Sequence, residues 1–165
     1  HSTAPVVKTV TYNFATSATN KNTPLAADTA LTLFNNSSAV STGLASVAVE
    51  NIYEGNGAGG AYPNQSGFLK TGTGSKTGKL VLTFEESKKV AKVEIKCHDW
   101  YKKNDSNPTN KNTVKVNGGT AVLAPYNTDG TPENLTFELD GTSNVVTMDF
   151  TNRVFIFEIV ITFAE

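Results

Sequence analysis

The run His98-Asp99-Trp100-Tyr101-Lys102-Lys103-Asn104-Asp105 sets an imidazole, two carboxylates, two aromatic rings, two ammonium groups and an amide side by side. Trp100 is the only tryptophan. A large flat ring where a strand runs into a loop of hydrogen-bonding groups suits sugar recognition. Pyranose C–H faces stack on a π-face, and the hydroxyls take amides, carboxylates and ammonium groups around the rim. Asp99 and Asp105 suit vicinal hydroxyls, because one carboxylate accepts from two of them together. Lys102, Lys103 and Asn104 either donate to such hydroxyls or are simply solvated. The competing expectation for Trp100 is a plug at one end of a hydrophobic core.

Parity along the strand weighs these two. Ala91, Val93, Ile95 and Cys97 alternate with Lys92, Glu94, Lys96 and His98, so the apolar set faces a core and His98 faces outward. If the strand continues, Trp100 projects outward beside His98 and Tyr101 points in. One bulge would exchange these faces. His98 is then a ligand contact or a solvated side chain, and Cys97 a small buried hydrophobe.

Catalysis finds few parts. His1 and Ser2 look like the remnant of a tag or cleavage site, which leaves His98 as the one histidine for any nucleophilic or metal chemistry, with Cys97 on the opposite face. A small glycosidase needs two facing carboxylates. Glu50, Glu94, Glu138 and Glu158 lie in strands, but Glu94 and Glu138 alternate with apolar residues as solvated positions do. The expectation is that this is not an enzyme.

The 165 residues suffice for one domain, 1–165, with a core that needs no disulfides. Thirteen lysines and one arginine, Arg153, nearly balance the acidic residues to a net charge of −1, which argues against a nucleic-acid partner. Threonine, serine and asparagine make up about 30% of the chain, while charged residues reach 18%. That balance fits exposed strand positions and abundant turns of a secreted all-β protein. No apolar run is long enough to cross a bilayer, so no membrane insertion is expected.

Strands that would position the run follow from period-two patterns. They include Val10-Tyr12-Phe14, Leu44 to Tyr53, Leu80-Leu82-Phe84, Leu135-Phe137-Leu139 and Val146-Met148-Phe150. The last, Phe155-Phe157-Ile159-Ile161-Phe163, should place these five on one face. Asn117-Gly118 predicts a hairpin between Val114-Val116 and Ala121-Leu123. Asp28 could cap one short helix over Ala30, Leu31 and Phe34. Gly55, Gly57, Gly59 and Gly60 open a loop to Gly67 that is either a plain connection or backbone approaching a ligand, with Tyr62 and Asn64 on display. Nine or ten strands and at most one short helix describe a two-sheet antiparallel β-sandwich, a jelly roll in preference to an immunoglobulin-type sandwich.

Lys79-Leu-Val-Leu-Thr-Phe84, Val93-Glu-Ile-Lys-Cys-His-Asp-Trp-Tyr101, Thr113-Val-Lys-Val-Asn-Gly118 and Leu135-Thr-Phe-Glu-Leu-Asp140 resemble galactose-binding-like jelly-roll modules. Such modules are attached to large secreted proteins of Gram-positive gut bacteria, including polysaccharide-degrading enzymes and adherence proteins, and also accompany secreted nucleases. The resemblance spans roughly residues 9 to 163 as a pattern of strands and turns. It implies a non-catalytic carbohydrate-binding module, extracellular or on the cell surface, monomeric and one part of a multidomain protein. Its partner is then a polysaccharide or oligosaccharide, with starch or another α-glucan leading. Trp100 and Tyr101 match the stacking role by residue type, and Tyr53, Tyr62 and Tyr126 are further loop candidates. A structural calcium ion is also implied, to which Asp99, Asp105 and Glu54 could lend oxygens, although nothing has the spacing of a known calcium loop. A structural spacer or protein-binding domain of a surface protein stays open beside this reading.

Overall fold

Alternating residues pair into two antiparallel sheets in the computed structural model, which describes residues 8–19, 21, 23–55, 66–100 and 111–165. In chain order the elements begin β1 (Thr9–Asn13), β2 (Thr23–Pro24), α1 (Ala27–Asn36), β3 (Leu44–Glu50), β4 (Ile52–Glu54), β5 (Leu69–Thr71) and β6 (Gly78–Phe84). They continue β7 (Val90–Asp99), β8 (Thr113–Val116), β9 (Val122–Leu123), β10 (Glu133–Glu138), β11 (Val145–Phe150) and β12 (Val154–Phe163). The seven-stranded sheet runs β10-β7-β12-β5-β4-β2, with β1 also on β12; the five-stranded sheet runs β3-β6-β11-β8-β9. From β3 onward the chain passes repeatedly from one sheet to the other, as jelly-roll connectivity requires. The two inner faces meet in one core, where Val93, Ile95 and Cys97 of β7 lie buried with Leu80, Leu82, Phe84, Val146, Met148 and Phe150.

Four expectations change. First, the span 44–53 is not one strand. Asn51, at φ 53°, turns the chain from β3 in one sheet to β4 in the other, and a left-handed residue cannot continue a pleat. Second, Asp28 does not cap α1. Ala26 holds that position with no side-chain bond, and Asp28 sits in the first turn, accepting from the Thr29 N–H at 2.8 Å. The helix buries Ala30, Leu33 and Phe34, the last 5.1 Å from the Tyr12 ring.

Third, the strands number twelve among the described residues, because β2 and β9 are two-residue pairings too short to show alternation. The Asn117-Gly118 hairpin forms as expected, with φ 49° and 70° and a bond from Gly119 N–H to Val116 O at 3.0 Å. Leu123, however, is exposed. Fourth, β12 is not regular. Lys96 faces Glu158 while Cys97 faces Ile156, so Phe157 is an extra residue and the faces exchange there. Val154 and Ile156 join Ile159, Ile161 and Phe163 in the core, while Phe155 and Phe157 go to a second cluster on the outer side.

Candidate functional site

That bulge divides the outer face of the seven-stranded sheet into two regions. On one side cross-strand pairs set Lys92 opposite Glu138 and Lys96 opposite Glu158, a solvated, charge-complementary surface. Of the four glutamates weighed as a catalytic pair, Glu94, Glu138 and Glu158 lie on this sheet, and Glu50 lies on the other, opposite Lys79. On the other side one row crosses four strands: Tyr53 faces Lys70, Lys70 faces Phe155, and Phe155 faces His98. Phe68 and Phe155 are buried there, with Trp100, Tyr126 and Phe157 packed half-buried against them. The Phe68 and Phe155 ring centroids are 5.0 Å apart at 69°, within the edge-to-face geometry that aromatic quadrupoles favour.

Trp100 thus stands on the outer side, outside the main core and still partly in solvent. The Arg153 guanidinium lies over its ring, Cζ 4.2 Å from the centroid, a cation–π contact that fixes the plane of the indole. Around it opens a cleft of about 250 Å³ lined by Gly74, Trp100, Lys111, Asn112, Asn152 and Arg153. These residues come from the connections β5–β6, β7–β8 and β11–β12, which gather at one end of the sandwich. Asn152 ties them: its Nδ2 donates to Thr73 O at 3.1 Å, and its own carbonyl accepts from Thr71 Oγ1 at 3.0 Å. Gly72 makes this approach possible, with φ +59° and a Cβ position only 2.4 Å from Asn152 O.

His98 requires correction. It faces outward as its parity demands, yet it is fully buried, neither solvated nor at a rim. Its Nε2 lies 3.0 Å from the Asn127 N–H, which can only donate, so Nε2 is the bare nitrogen. Nδ1 then carries the proton and donates to Asp99 O at 2.7 Å. With Asp99 N–H donating to Pro125 O at 2.7 Å, this pair fastens the 125–127 segment. Tyr126 is thereby brought to 5.3 Å from the imidazole.

Asp99 also differs from the direct sugar partner expected. It shares the inward side with its partner Val154 and is fully buried. Oδ1 accepts from the Trp100 N–H and from Asn112 Nδ2, each at 2.7 Å, and Asn112 Nδ2 also reaches Arg153 O at 3.0 Å. Burial pushes the Asp99 carboxyl above the usual range, and these hydrogen bonds partly offset it. Asp99 therefore positions Trp100 and Asn112 and does not line the cleft.

Of the implied calcium ligands, Glu54 and Asp99 do not converge. The register sets Glu54, Leu69, Ile156 and Cys97 in one row, which separates Glu54 from β7 by three strand spacings, about 14 Å. Glu54 is engaged elsewhere, accepting from Thr19 N–H at 2.9 Å and pairing with Lys21 at 3.4 Å. Asp99 Oδ2 is buried with no hydrogen-bond partner among the described residues, and no group of three metal-ligating side chains occurs among them either. Asp99 and Glu54 do not fit one calcium site.

Tyr53 is half-buried beneath Lys70, whose Nζ lies 4.5 Å from the ring centroid. Tyr62, Asn64, Tyr101, Lys102, Lys103, Asn104 and Asp105 lie outside the described residues. The cleft residues Lys111, Asn112, Asn152 and Arg153, and Lys70 beside Tyr53, were not expected as site residues. The one available signal was that Arg153 is the sole arginine and stands next to a strongly apolar strand.

A larger cleft, about 770 Å³, lies between the free edge of β10 and the β8–β9 turn. Its one aromatic lining side chain among the described residues is Phe137. No helix among the described residues is long and apolar enough to cross a membrane. No family model matches this chain, and no curated protein matches it either.

Proposed function

We propose that this protein is a non-catalytic carbohydrate-binding module, extracellular or on a cell surface, that tethers a larger protein to a polysaccharide. The observation that carries this reading is Trp100: an indole partly open to solvent, held by Arg153 at the lip of a polar cleft on a rigid sheet end. A sugar's C–H face packs against the open part of the indole, and its hydroxyls meet the cleft amides. Pre-organisation supports affinity, since the Arg153 contact and the Asp99 bond to the Trp100 N–H settle the ring before any ligand arrives. Tyr53 and Tyr126 extend the same outer face as secondary contacts.

Affinity electrophoresis through gels containing starch, glycogen, xylan or β-glucan tests the reading, with starch the arm matching the α-glucan expectation. Retardation in at least one gel is expected. Trp100→Ala should abolish it while leaving the thermal unfolding transition in place, because stacking contributes on the order of 1 to 2 kcal/mol, roughly a five- to thirtyfold loss of affinity. Unaltered mobility in every gel, or retardation indifferent to Trp100, would favour the spacer reading.

A further inference from the structure

Resting on the sugar-binding reading and naming its ligand class, we propose that the saccharide held beside Trp100 carries a carboxylate, gripped by Arg153 and Lys111. The cleft supplies two cations, two amides and an indole, and no acidic side chain among the described residues lines it. Among the described residues the ion pairs are Lys8–Glu165 and Lys21–Glu54, so no described carboxylate neutralises Arg153 or Lys111. The imbalance is local, because the chain as a whole carries −1.

Chemistry favours an acidic ligand over a neutral one. A guanidinium half-buried on an indole has lost water without gaining a counter-charge from any described residue, and burial lowers its proton affinity accordingly. Lys70 is lowered in the same direction, first by burial and then by Arg153 itself. An arriving carboxylate relieves both deficits and accepts two parallel N–H bonds from the guanidinium fork. The amides fit the rest of a sugar. Asn112 Nδ2 donates to Asp99 and to Arg153 O, and Asn152 Nδ2 gives one of its two N–H groups to Thr73 O, while no described donor occupies either Oδ1 atom, so both can accept from hydroxyls.

Titration calorimetry with an oligogalacturonide and with its methyl ester isolates the carboxylate on one sugar skeleton. Sialyllactose against lactose asks the same of a sialate. We expect the free acid in at least one pair to bind about tenfold tighter than its neutral counterpart, with the preference shrinking as salt is raised. Arg153→Gln should erase the preference, and Arg153→Lys, which keeps charge but not the fork, should reduce it several-fold. Lys111→Gln gives a second reading should either Arg153 variant fail to fold. Equal binding of acid and neutral forms overturns the carboxylate assignment and leaves sugar binding standing. Equal binding of polyglutamate also overturns it, by exposing a mere polyanion patch. No binding to any saccharide sinks this proposal and the module reading together.

Discussion

His98 shows how one side chain can serve a site without touching a ligand. Its two ring nitrogens meet one donor and one acceptor, an arrangement only the neutral ring satisfies. His98→Phe preserves the ring's bulk under Tyr126 but strands the Asn127 N–H and the Asp99 carbonyl. Urea denaturation should then report a loss of about 1 to 3 kcal/mol, the cost of unpaired buried polar groups. An unchanged midpoint would mean that the 125–127 segment is held by other contacts. Outward parity was legible from the alternation of Ala91 to Cys97. The burial was not, because the cover comes from a segment nearly thirty residues later.

At the scale of elements, the irregularities build the site. The extra residue Phe157 in β12 turns two phenylalanines to the outer side, and the cluster they form supports Trp100. The β5–β6 connection forms the opposite wall because Gly72 adopts a left-handed conformation against Asn152. Gly72→Ala combines a disfavoured φ with a clash on backbone, a cost of roughly 1 to 3 kcal/mol from the conformation alone. The expected outcome is a lowered melting temperature together with weakened saccharide binding, since Asn152 precedes Arg153. Binding at full strength in a folded Gly72→Ala protein would separate this turn from the site.

For the whole molecule, two buried acids among the described residues favour the fold below alkaline pH. Burial pushes the Tyr12 hydroxyl up from 10.0 to about 12, and the Cys97 thiol up from 9.0 to about 12, the latter aided by Asp99 and Glu133. A raised folded-state value favours the protonated fold. The Tyr12 contribution is therefore complete below pH 10.0 and disappears as pH rises through about 12. Tyr12→Phe should flatten the decline in stability between those limits, as followed by denaturant melts. At neutral pH it should cost about 1 kcal/mol or less, the net worth of one hydrogen bond, because the buried Tyr12 hydroxyl interacts with the Thr42 side chain. A steeper alkaline decline in that variant would assign the effect elsewhere.

The sequence by itself determined the sandwich. Period-two alternation fixes which side chains of β6, β7 and β11 must be buried, and two such faces have nowhere to go but against each other. For Trp100 it gave an outward position only on the condition that the strand ran on without a bulge, and left a core plug open beside it. Tertiary structure alone decided what surrounds that indole. A bulge leaves no periodic trace in a run apolar on both faces. Arg153, Asn112 and Gly74 meet Trp100 only because connections far apart in the chain end at the same rim of the two sheets.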